Sequence, residues 1–97
     1  MAFFAVEYSY VEDTAALDAT RTEHRSYLSR LAIDGAVIAS GPYLGVGAPG
    51  RALLIFRAPD RQALDGLVAD DPFQTAGLVT QTRVTEWNPV IGVLADS

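Results

Sequence analysis

The sequence has no cysteine, no lysine, a single histidine and no long apolar run. Without cysteine there is neither a disulfide nor a thiolate metal site, and residence in a reducing cytoplasm is expected. No apolar stretch approaches the ~20 residues that span a bilayer, so no membrane partner is expected. The opening "MAFFAVEYSY" has no basic n-region and soon meets Glu7, so it reads as a strand and not as a secretion signal. All seven basic residues are arginines, scattered from Arg21 to Arg83 with no basic stripe, and the net charge is −5. Phosphate neutralisation needs clustered positive charge, so nucleic acid is not expected as a partner. Arginine without lysine in an alanine-rich chain points to a GC-rich genome and is silent on function. One histidine leaves only carboxylates as further metal ligands, and neither EF-hand nor HExxH spacing is present, so no metal is expected. GxGxxG, GxxxxGK[ST] and GxSxG are also missing, so no nucleotide cofactor is expected. The glycine-rich "GVGAPG" (45–50) precedes no helix start and reads as a hairpin loop rather than a phosphate cradle.

What is present is a globular chain: hydrophobic residues make up 49% of it and charged residues 20%. Its 97 residues predict one domain, 1–97. A chain this short buries only roughly 60–70% of its unfolded surface, a size at which an oligomer helps. "FFAVEYSY" (3–10) is aromatic and β-branched and predicts a strand. The following helix has two candidate starts: an early cap at Asp13 or Thr14, and a later one at Thr20, which has capping-box spacing to Glu23. With the early start, Leu17, Arg21, His24, Leu28 and Leu31 share a face. Gly35 predicts the stop. "AVIASG" (36–41) predicts a second strand that ends in a tight turn at Gly41-Pro42. "YLGVGAPG" (43–50) predicts a loop and "RALLIFRA" (51–58) a third strand. Asp60 predicts the cap of a second helix, and Pro72 its end. Phe73 to Gly77 predicts a short helical turn. "VTQTRVTEW" (79–87) predicts a fourth strand, followed by a tail with one more short apolar run.

The order β-α-β-β-α-β predicts an α+β, ferredoxin-like fold, with one antiparallel sheet and both helices on one face. Strands 36–41 and 51–58 are apolar at both alternating positions, whereas a sheet covered on one side alternates apolar with polar. The second face therefore calls for cover. The simplest cover is a second copy packed sheet to sheet with twofold symmetry, so a homodimer or a higher even-numbered oligomer is expected.

His24 is the main candidate for chemistry. On that helix face it fits a satisfied core or boundary histidine, and it fits a general base or acid tuned by a carboxylate. Asp71 before Pro72 fits an N-cap, and one of its oxygens can cap while the other faces an imidazole. Arg21, one turn before His24, fits either an anion clamp or a surface arginine. Ser40, Gly41 and Pro42 end the second strand, where a turn lets a ligand approach the backbone. Trp87 fits the core or a dimer interface.

Together these residues form H-x3-L-x2-L-x3-G-x5-GP (His24, Leu28, Leu31, Gly35, Gly41, Pro42), then DPF-x3-G (Asp71 to Phe73, Gly77), then Trp87. From about residue 3 to residue 89 the chain resembles the YciI-like (YCII-related) family, with 90–97 as a C-terminal tail. The resemblance implies a ferredoxin-like dimeric α+β barrel, and a pocket where a histidine and an aspartate form a catalytic pair, here His24 and Asp71. One branch resembles a chlorohydroxyhydroquinone dehydrochlorinase, and the fold is shared with muconolactone isomerases and cofactor-free monooxygenases. The leading expectation is thus a small enzyme without a cofactor, coupling proton abstraction to elimination or isomerisation on a small cyclic or aromatic organic acid or phenol. His24 is the expected base, oriented by Asp71. Arg21 or the backbone at Ser40–Gly41 would stabilise negative charge, with Pro42 and Phe73 completing the substrate site. The alternatives are a non-catalytic ligand-binding or accessory domain using the same pocket, and an assembly module that needs only the dimer.

Overall fold

The structure, a computed structural model, describes residues 1–95; Asp96 and Ser97, the end of the expected tail, lie outside the described residues. The elements are β1 (Ala2–Tyr10), α1 (Thr14–Ile33), β2 (Val37–Pro42), β3 (Arg51–Ala58), α2 (Arg61–Ala69), α3 (Pro72–Thr75) and β4 (Val79–Trp87). The four strands form one antiparallel sheet in the order β2-β3-β1-β4, the ferredoxin-like arrangement.

Of the two candidate starts for α1, the early one is used. The Asp13 carboxylate accepts the Ala16 N–H at 3.1 Å. Starting there lets the helix bury Leu17 as well as His24 and Leu28, whereas a start at Thr20 leaves Leu17 outside. Gly35 ends the helix at φ +83°, where a side chain is disfavoured. Its N–H donates to the Ala32 carbonyl at 3.1 Å, and the Ala36 N–H donates to that of Leu31 at 2.8 Å, which makes a Schellman ending.

The turn expected at Gly41-Pro42 is not there. Both residues are paired in β2, opposite Leu53 and Ala52, and the ladder runs on to Tyr43, whose N–H donates to the Arg51 carbonyl. β2 is an edge strand, where proline is tolerated because the ladder has an unpaired side. Asp60 does cap α2, accepting the Ala63 N–H at 2.8 Å.

Alternation along β1 and β3 builds the core. Phe4, Val6 and Tyr8 stand opposite Phe56, Leu54 and Ala52. Leu28 of α1 and Leu64 and Val68 of α2 pack onto that one face. Full burial of a residue such as Leu64 contributes about 1.5–3 kcal/mol. A smaller cluster of Leu17, Phe73 and Leu78 joins the start of α1 to α3, and so holds together the two elements that carry His24 and Asp71.

The opposite face is less uniformly apolar than β2 and β3 suggested. Leu53 and Ile55 lie there, half-buried, beside Ala5 and Phe3. Their neighbours are Glu7, Arg83, Thr85 and Gln81, and the Tyr43 hydroxyl donates to Glu7 at 3.0 Å. Trp87 sits opposite Phe3 and is 43% exposed, so it is not core in the single chain. No described helix is long and apolar enough to cross a membrane.

Candidate active site

Proline at the first position of α3 makes Asp71 its cap, with the extended backbone (φ −62°, ψ 128°) that a residue before proline prefers. That geometry turns the side chain inward, and Asp71 is completely buried. Three donors meet it. Oδ1 accepts the Phe73 N–H at 3.0 Å and faces His24 Nδ1 at 2.7 Å, while Oδ2 accepts the Tyr8 hydroxyl at 2.9 Å. The division of labour expected for the two oxygens therefore differs: one oxygen serves both cap and imidazole, and the other holds a tyrosine. With Oδ1 already accepting from Phe73 and Oδ2 from Tyr8, the arrangement suits an ionised Asp71 with the proton on Nδ1 of His24. That tautomer leaves Nε2 with its lone pair.

His24 reaches Asp71 from the middle of α1 and is itself buried. Its ring stacks on Phe73, with centroids 3.9 Å apart and planes 10° from parallel. The ring is thus held at one nitrogen by a carboxylate and over one face by an aromatic plane. Burial, and then the negative charge of Asp71, push the Tyr8 hydroxyl far above its ordinary value, so it remains a donor.

His24 lines a cleft of about 710 Å³ between α1 and β2, within the usual size range for small-molecule sites. Arg21 and Phe73 also line it, and Ser40, Gly41 and Pro42 form its β2 wall. These three reach it as strand residues and not through a turn. Arg21 is engaged by Asp18 on its own helix. The sequence reading missed Tyr8, Tyr10, Arg25 and Ser29. The two tyrosines had a signal: at positions i and i+2 of a strand they share a face, and a buried tyrosine needs a partner for its hydroxyl. Arg25 and Ser29 continue the α1 wall, one residue and five residues beyond His24. Among the described residues, no three His, Asp or Glu side chains converge as metal ligands.

Known structures share this architecture. A 5-chloro-2-hydroxyhydroquinone dehydrochlorinase from Burkholderia phenoliruptrix, in complex with 2,5-dihydroxybenzoquinone, superposes with a TM-score of 0.77 at 25% identity, over 89% of this chain and 93% of that one. Muconolactone isomerase gives a TM-score of 0.65 at 15% identity, over 91% and 88% of the two chains. An antibiotic biosynthesis monooxygenase gives 0.59 at 20% identity, over 94% and 100%. The last two likenesses establish the dimeric α+β barrel type of fold and nothing about chemistry. No curated protein sequence matches the chain. The sequence profile of the YCII-related domain matches residues 1–88, and the chain belongs to that family.

Proposed function

We propose that the protein is a small enzyme that abstracts a proton from a cyclic, oxygen-bearing organic acid or phenol and couples this to elimination or isomerisation, without a cofactor. The observation that carries the proposal is His24, its Nδ1 fixed by the buried Asp71 at 2.7 Å, in the wall of a cleft of small-molecule size. His24 Nε2 takes a proton from an O–H or C–H bond. The freed pair forms a C=O or C=C bond. In elimination, a leaving group departs with its own bonding pair; in isomerisation, the proton returns to another carbon. Asp71 holds the ring in the base-competent tautomer and stabilises the imidazolium that forms, as a carboxylate does behind a catalytic imidazole. Such a base contributes typically ~10²–10⁴-fold. The chemistry that names the Burkholderia relative, loss of hydrogen chloride from a chlorinated trihydroxybenzene, belongs to this class. The proposal includes a homodimer, supported by the patch of Leu53, Ile55 and Trp87 on the uncovered sheet face, and a cytoplasmic location, with which a cysteine-free chain is compatible.

The test is anaerobic chloride release from 5-chloro-2-hydroxyhydroquinone, with muconolactone isomerisation as a second assay. Turnover by the wild type that falls at least about 100-fold in His24→Ala supports the proposal. A wild type that binds 2,5-dihydroxybenzoquinone but turns over neither compound favours the non-catalytic reading.

A further inference from the structure

The four tyrosines of the chain separate into three with hydrogen-bond partners and one without. Tyr8 donates to Asp71, Tyr27 to the Leu67 carbonyl and Tyr43 to Glu7. The Tyr10 hydroxyl has no protein partner among the described residues, and Tyr10 lines the cleft that His24 lines. Its position is well fixed. The backbone N–H donates to the Gly50 carbonyl at 3.0 Å. The ring meets Phe73 edge to face at 5.4 Å, and Phe73 in turn stacks on His24. One aromatic ring thus sets both the imidazole and the phenol.

The charge of the cleft points the same way. In a chain of net charge −5, Arg25 and Arg21, the latter paired with Asp18, line this cleft and no carboxylate does. Asp71 lies behind the wall with both oxygens occupied. A base that takes a proton from a ring substrate leaves negative charge on a substrate oxygen, and a fixed donor aimed at that oxygen stabilises the step.

We infer that Tyr10 donates a hydrogen bond to the substrate oxygen on which this charge collects, so that the cleft prefers ring oxyanions, phenolates or enolates, to neutral rings. The inference rests on the proposed proton abstraction. Burial, and then the charge of Asp71, push the Tyr10 hydroxyl up to about 12 against the opposing pull of Arg21, so it still holds its proton at neutral pH.

The experiment is calorimetric titration of wild type and Tyr10→Phe with 2,5-dihydroxybenzoquinone, an anion at neutral pH, and with hydroquinone, which is neutral there. The ring of Tyr10 stays and its hydroxyl leaves no orphaned partner, so the variant is expected to melt with the wild type. A hydrogen bond to a charged group predicts about 10-fold or greater weakening for the anion in Tyr10→Phe, with little change for hydroquinone. Equal effects on both ligands, no effect on the anion, or a wild type that does not prefer the anion overturns the inference. Turnover keeps the two ideas apart. Undiminished turnover in Tyr10→Phe refutes the role of Tyr10 and leaves the proton-abstraction reading standing. Tyr10-dependent anion binding with no turnover upholds the ligand class and refutes catalysis.

Discussion

Replacing Asp71 should be far more damaging than replacing an ordinary helix cap, and the structure gives the size of the difference. Asp60 supplies the control: it caps α2 through the Ala63 N–H in an exposed setting. Removing such a cap typically costs ~1 kcal/mol. Asp71 caps α3 in the same way but also receives the Tyr8 hydroxyl and His24 Nδ1 in a fully buried site. Asp71→Ala orphans three donors, each at a cost of ~1–3 kcal/mol if no water replaces the carboxylate. A loss of roughly 3–9 kcal/mol follows, a large part of the roughly 5–15 kcal/mol that holds a domain together. Asp71→Asn retains an acceptor for Phe73 and His24 but trades charge-assisted hydrogen bonds for neutral ones about half as strong, so ~1–2 kcal/mol is expected. Urea denaturation at pH 7 measures all three variants, provided the m-values agree. A double-mutant cycle with Tyr8→Phe should give a coupling within the ~0.5–3 kcal/mol seen for residues in one network. If Asp71→Ala costs no more than Asp60→Ala, the buried network does not hold the fold and the reasoning fails.

Tyr8 also predicts an alkaline weakness, because its folded value lies above the ordinary 10.0. Above pH 10 the unfolded chain sheds this proton and the folded chain keeps it, so stability is intact below that pH and Tyr8 lowers it above by up to ~1.4 kcal/mol per pH unit; Tyr10, also raised, adds a decline of its own, so Tyr8→Phe should reduce the slope without abolishing it in urea titrations between pH 9 and about 11. Gly35 sits at φ +83° with open space where a Cβ would go, so Gly35→Ala should cost ~1 kcal/mol from backbone strain alone, and Gly35→Asn less; thermal melts of both variants check this. Light scattering should give at least twice the 10.4 kDa chain mass at micromolar concentration, and a monomer mass there would remove the sheet-to-sheet dimer.

The sequence was most legible where local chemistry and long-range packing agree. Aromatic and β-branched composition in 3–10 and the apolar run 51–58 announced β1 and β3, and Asp71-Pro72-Phe73 announced a cap and, through the family resemblance, the partner of the single histidine. It was less legible where two local signals competed. Asp13 and Thr20 are both competent caps, and the choice fell to Leu17, whose burial against Phe73 and Leu78 is a tertiary contact. Gly41-Pro42 carries a turn signal, yet an edge strand tolerates both residues, and edge position is a property of the assembled sheet. The third ligand of Asp71 was hidden for a related reason. The strand period says which way Tyr8 points, but not that a residue 63 positions away will receive its hydroxyl.

The central claim is that Asp71 holds the proton on Nδ1 of His24 and leaves Nε2 for the ligand. A long-range ¹⁵N–¹H correlation spectrum reads this directly, and the single histidine makes its assignment unambiguous. At a pH where the imidazole is neutral, the expected spectrum shows a pyrrole-type Nδ1 and a pyridine-type Nε2, and adding 2,5-dihydroxybenzoquinone moves Nε2 much more than Nδ1. A spectrum with the proton on Nε2, or an imidazole whose signals ignore the ligand, would contradict the assignment of His24 as the base of this cleft.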